Sequence, residues 1–400
     1  MLKKYFADLT SNDKPVKSRF PQQYVFILFC TAISSIMISI FLMQLFLILL
    51  LVLYLFERFE YKKNAVDGYI IVFFLFGIIR ILSIIFSNYP ATSIPALYKE
   101  SLLYIGILVF GFYVKVFYKK MNTILVVFLV SSVFVALVGI VKFDLRFVNR
   151  SQSFSSGYSV FSLFLMQSFI ITLFIYRELK FKYSNWIWTI TLVFIFTALI
   201  TSLGRTNIAI AFFVLIFTLI IKKIDLKLAL IVLVLAGALS FISFQLNDEE
   251  IKHRIESPAA FSDRDILWEG ASLLAFDHPL LGFGPRTFKD IFPLSNKLED
   301  KGIGSWHNEY IEIYFESGII GIISYLFLIF YIFRGCIRYL KKNSKNDLAR
   351  STVHGILIVL IGFCLASLTS GFITSILISV QFAFFVALLS SIERSIRLNE

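Results

Sequence analysis

Long apolar runs alternate with short polar or charged breaks along most of this chain, near residues 24–38, 40–56, 68–87, 101–118, 123–141, 158–176, 185–203, 206–221, 228–246, 309–333, 353–370 and 373–391. A run of roughly 18 to 20 apolar residues covers a hydrocarbon core about 30 Å thick when helical, and only a helix or a closed barrel satisfies its own backbone in lipid. The pattern predicts an all-α polytopic membrane protein with about 12 transmembrane helices.

The first two runs form one unbroken apolar stretch, Tyr24 to Phe56, which as a pattern fits either a single tilted helix or a tight hairpin. Charge separates the two. With a hairpin and a cytoplasmic amino terminus, the inside segments hold 25 Lys and Arg residues, the short outside loops 5, one long loop 7, and Arg80 lies inside a span. A single first helix would put the basic N-terminal tail outside or invert every later loop, against the positive-inside rule. Both termini are therefore expected in the cytoplasm. No small-residue cleavage site follows the first apolar stretch, so no cleaved signal peptide is expected.

One connection breaks the rhythm. Asn247 to His307 carries four of the eight prolines and three of the four histidines, and loops of that length are functional or disordered. Trp268, Phe276, Phe283, Phe288 and Trp306 make it too aromatic for disorder. The expected organisation is a nine-helix N-terminal region over 1–246, a small helical extracytoplasmic cap over 247–307, and three C-terminal helices over 308–400.

Composition agrees and narrows the function. The chain is 58% hydrophobic and 16% charged with 46 Phe, well away from a soluble domain near a quarter charged. A net charge of +12 could suit nucleic acid, but the basic residues sit in short loops between spans rather than along one soluble face. Cys30, Cys336 and Cys364 lie in or beside apolar runs without ligand spacing, so neither a disulfide framework nor a zinc site is implied.

Inside the cap, Ser262 to Asp265 precede Ile266, Leu267, Gly270, Leu273 and Leu274, which predicts a short amphipathic helix with Ser262 as N-cap and Asp265 in its first turn. The Asp263-x-Asp265 pair could also be a metal-binding pair, although such a pair normally closes a strand. The turn Asp277 to Arg286 could bring backbone N–H groups and Arg286 to an anion. It lacks the third glycine, strand and acidic residue of a dinucleotide fingerprint.

The sharpest signal is Ser305-Trp306-His307-Asn308-Glu309-Tyr310, which closes the loop and opens the tenth run. A histidine at the membrane surface, with an ordinary pKa near 6.5, suits a general base. It could equally be an interfacial histidine that hydrogen-bonds the loop. Arg205 lies in a short connection between two apolar runs on the same predicted side, where a cation is costly to keep and tends to serve function or to snorkel. Lys142, Arg146, Arg150 and Arg264 share that side. Several guanidinium groups against the positive-inside trend suggest a phosphate or diphosphate site. Glu309, Glu312 and Glu316 share one helix face and could hold these arginines or simply form a solvated helix start.

Taken in order, these residues resemble the O-antigen ligase and polymerase family of bacterial envelope proteins. The likeness rests on Ser202-Leu203-Gly204-Arg205, on Arg264-Asp265-Ile266-Leu267-Trp268 leading to His278-Pro279-Leu280-Leu281-Gly282-Phe283-Gly284, and on His307-Asn308-Glu309-Tyr310 before Gly318-Ile319-Ile320-Gly321, over about residues 190–335. It implies a GT-C-like glycosyltransferase of the bacterial inner membrane. The implied donor is an undecaprenyl-diphosphate-linked glycan, the implied acceptor in the ligase branch is the lipid A-core saccharide, and catalysis is periplasmic and inverting. His307 would be the base; Arg205 and Arg264 would hold the diphosphate, assisted by Arg150 and Arg286, with Asn308 and Trp306 at the glycan. With arginines in that role no metal or other cofactor is required. A polymerase using the same donor is the nearest rival; a glycan flippase would be expected to show internal repeats, and none is clear.

Overall fold

The structure, a computed structural model, describes residues 16–179, 184–245, 263–298, 303–342, 346–371 and 375–399. Among the described residues every regular element is helical. In chain order they are α1 (Gln22–Ser35), α2 (Ile40–Leu55), α3 (Phe59–Ala65), α4 (Gly68–Ile85), α5 (Pro90–Val116), α6 (Met121–Asp144), α7 (Tyr158–Ile175), α8 (Ser184–Thr201), α9 (Arg205–Ile220) and α10 (Leu226–Gln245). The cap contributes α11 (Arg264–Leu274) and α12 (Phe288–Ile291), and α13 (Glu309–Lys341), α14 (Asp347–Ala366) and α15 (Ile376–Asn399) follow.

Each of the twelve apolar runs coincides with a helix. Among the described residues eight helices are long and apolar enough to span a membrane, or nine if α2 and α3, which meet at a bend of 118°, form one broken span. With 14 and 16 residues, α1 and α2 reach only about 21 to 24 Å at 1.5 Å per residue; α9, also of 16 residues, is equally short. The first stretch is the hairpin that the charges favoured, with α1 packed on α2.

The run read as 101–118 begins much earlier, at Pro90. Ser93, Lys99 and Glu100 interrupt its hydropathy, which hid about three turns of helix. Pro90 stands at the first helical position, where its missing N–H is no loss. Lys99 is therefore a helix residue and not a loop charge.

At the centre of the bundle lies α15, packed along α5, with 94% of its apolar window buried; α10 has 28% buried and faces outward. A second apolar cluster belongs to the cap: Leu267, Phe283, Phe288, Phe292 and Trp306 pack together with Phe315, a residue of α13. The Trp306 and Phe315 rings stack at 4.3 Å. The cap is thereby seated on the opening turns of α13.

Three turns into that helix the backbone breaks. Gly318 has φ 65° and ψ −165°, a conformation essentially confined to glycine. Ile319 donates its N–H to the Pro279 carbonyl at 2.8 Å, and Phe283 and Gly284 donate theirs to the carbonyls of Phe315 and Glu316 at 2.7 and 3.1 Å. The cap segment 279–284 thus fills the gap in α13.

Candidate active site

His307 stands two residues before α13 with φ 50°, in the left-handed region that costs a side-chain-bearing residue about 1 to 3 kcal/mol unless its surroundings hold it. They do. Asn308 caps α13 through its Oδ1, which accepts from Tyr310 and Ile311 at 3.0 and 3.2 Å, and its Nδ2 donates to the Leu368 carbonyl at 3.3 Å. Glu309 donates its N–H to the Ser367 carbonyl at 2.8 Å, and the Tyr310 hydroxyl donates to the Cys364 carbonyl at 3.0 Å. The start of α13 is therefore sewn to the carbonyls that the C-terminal end of α14 leaves open.

Arg264 joins the same seam. Its Nη2 donates to the Thr369 carbonyl at 3.2 Å, leaving the other N–H groups of the fork for a second partner. Burial, and then the nearby Arg264 charge, hold the His307 imidazole below the ordinary histidine value. A neutral ring at neutral pH is the form that accepts a proton.

The helix predicted in the cap is present and begins at Arg264. Asp263 precedes it at φ 55° without a side-chain cap bond, and Ser262, the expected N-cap, lies outside the described residues. Arg286 has φ 61°, and its N–H goes to Glu316 Oε1 at 2.6 Å. The Asp277–Arg286 turn does not form the anion cradle expected of it, because the N–H groups of Phe283 and Gly284 are taken by the broken helix. Asn308 is likewise occupied as a cap, and Trp306, 3% exposed, serves the cap core.

Arg205, exposed, is the first residue of α9, two positions after Leu203 at φ 55°. It shares an end of the bundle with His307. Gly362 of α14 lies against Ile210 of α9, and these antiparallel helices each run five further residues, about 7.5 Å, to Arg205 and Ser367. Ser367 in turn bonds Glu309. The Arg150 guanidinium lies over the Tyr158 ring at 4.0 Å, and the adjoining Ser151 is fastened to Thr201, at the end of α8, by backbone and hydroxyl bonds of 3.1 and 2.7 Å. Arg150 therefore borders the Arg205 corner. Left-handed residues stand at or within two positions of Arg205, Arg264, Arg286 and His307, a clustering typical of functional sites.

Residue patterns alone missed Arg80. It is 2% exposed in α4, donates through Nε to Glu100 at 3.0 Å, through Nη1 to Ser317 at 2.9 Å and through Nη2 to Glu316 at 2.6 Å. A cation inside an apolar run was the available signal, and its partners lie 20 and 236 positions away.

With this geometry in view, residues 190–326 match the family model described as O-Antigen ligase. The match is a likeness of this stretch alone, about a third of the chain. The matched stretch takes in most of α8, then α9, α10, the cap and the upper part of α13, hence Arg205, Arg264, Arg286, His307 and Glu316, and leaves Arg80, Glu100 and Arg150 outside. No curated protein matches the chain.

Proposed function

We propose that this chain is an O-antigen ligase, a glycosyltransferase that moves a glycan from undecaprenyl diphosphate to a lipid A-core acceptor at the periplasmic face of the bacterial inner membrane. The observation that carries the reading is the His307–Arg264 corner, a half-buried imidazole close to a guanidinium at the head of α13. Arg205 opens the neighbouring helix at the same end.

His307 takes the proton from the acceptor hydroxyl as its oxygen attacks the anomeric carbon. The bond from that carbon to the diphosphate oxygen breaks, and the leaving group departs with the electron pair. Attack opposite the leaving group inverts the anomeric configuration. Arg205 and Arg264, with Arg150 and Arg286 around them, stabilise the charge that grows on the diphosphate. The N-terminal ends of α9 and α11 add positive dipole ends beside their arginines.

Deletion of the gene followed by analysis of lipopolysaccharide tests the reading. Free lipid A-core with accumulated long polyprenyl-linked glycan supports the ligase. Core bearing a single repeat unit identifies a polymerase instead. In a membrane transfer assay, His307→Ala with undiminished transfer would remove the base from the mechanism.

A further inference from the structure

The cap turn that follows α11 is unusually apolar at its tip. Phe276 is 88% exposed, the most of any large hydrophobic side chain among the described residues, and Leu280 is 64% exposed. The turn is nevertheless not loose. The Tyr314 hydroxyl donates to the Ala275 carbonyl at 2.5 Å, Ile319 to the Pro279 carbonyl at 2.8 Å, and Ile320 to the Leu280 carbonyl at 3.4 Å. The His278 and Phe283 rings meet at 4.4 Å. Both ends of the turn are thus fixed to α13.

Position along α13 decides what the tip faces. Ile319 is ten residues past Glu309, about 15 Å down the helix axis. The exposed residues below it are Ile319, Ile320, Ile323, Leu326, Phe327 and Phe330, the outward apolar face of a membrane-spanning helix. Leu280 sits directly on the top of that face. An apolar tip held there by backbone bonds is continuous with a surface already solvated by acyl chains.

We propose that Phe276 and Leu280 are buried in the leaflet that surrounds the upper half of α13, so that the cap is docked on phospholipid acyl chains by this turn. The partner is bulk lipid, recognised through apolar contact alone.

Photolabelling of the unaltered full-length chain tests this in vesicles of phosphatidylcholine carrying a small fraction of acyl-chain diazirine phospholipid. Mass mapping of the adducts is expected to show label on Phe276–Leu280 at a yield comparable to Ile319–Phe330, with little on the exposed cap residues Lys289 and Asp290. Label on Ile319–Phe330 with none on Phe276–Leu280 overturns the proposal. A second measurement places a nitroxide at Phe276→Cys or Leu280→Cys in a chain whose three native cysteines are replaced, with Ile323→Cys as the lipid-facing reference. Oxygen collisions exceeding those of a water-soluble nickel chelate, as at the reference, support lipid burial. The reverse order overturns it, and so does spin–spin broadening removed by unlabelled protein, which would mean a second copy covers the turn. No polyprenyl lipid is present in these vesicles, so lipid exposure there does not depend on a substrate tail.

Discussion

Glu316 uses one carboxylate oxygen to accept the Arg286 backbone N–H at 2.6 Å and the other to accept the Arg80 guanidinium at the same distance. One buried carboxylate thus ties a span far back in the sequence to the cap segment that carries Arg286. Taking one partner from a buried ion pair leaves a charge without compensation, at about 3 to 5 kcal/mol. Glu316→Ala and Arg80→Ala are both expected to lower the thermal midpoint of the purified protein by several degrees and to reduce transfer strongly. Unchanged midpoints in both would show that the pair holds nothing in place.

If His307 is the proposed base, transfer has a pH dependence. The imidazole's folded-state pKa lies below the ordinary value, so the neutral base persists to more acidic pH than a free histidine would allow, and activity is lost only as pH falls through that depressed value. The acidic limb of the rate profile should therefore inflect below about 6.5. Arg264→Gln removes the repelling charge and should move the inflection toward higher pH, while a limb that stays put would separate Arg264 from the base.

Arg205→Lys keeps the charge and loses the fork. If the fork grips a diphosphate, transfer should fall by an order of magnitude or more, since roughly 1.4 kcal/mol lost from the transition state is tenfold in rate. Measured transfer within twofold of the parent would remove Arg205 from diphosphate binding.

Two glycines should behave oppositely. A Cβ at Gly318 would overlap the Leu280 carbonyl at a positive φ, so Gly318→Ala should displace the 279–284 segment and abolish most transfer. At Gly237, on the outward helix α10, a Cβ meets nothing within 4 Å, and alanine there should be neutral or stabilising by about 0.5 to 1 kcal/mol. Thermal midpoints of the two variants check the contrast.

Each apolar run read from hydropathy coincides with a helix, because apolar length is a local property, whereas the short polar helix α3 was not among them. Hydropathy misjudged the start of α5, where Lys99 and Glu100 read as a loop although Glu100 is the partner of Arg80. The helix at Arg264 was legible from its spacing. The break at Gly318 was not, since Gly318-Ile319-Ile320-Gly321 continues an apolar helix pattern and only the incoming Pro279–Gly284 segment explains the unwinding. The acidic face of α13 was seen, but as a holder of the outer arginines or a solvated helix start; Glu316 is buried instead and holds Arg80 and the backbone N–H of Arg286. Such pairings join distant parts of the chain and leave no local periodicity.

Phe315, the seventh residue of α13, belongs at once to the turns that open a span and to the aromatic cluster under the cap. An excised soluble fragment ending before Glu309 would leave Trp306 without its stacking partner and His307 without the seam that fixes its left-handed backbone. Any water-soluble version of this corner has to carry the head of α13 with it, together with the tail of α14.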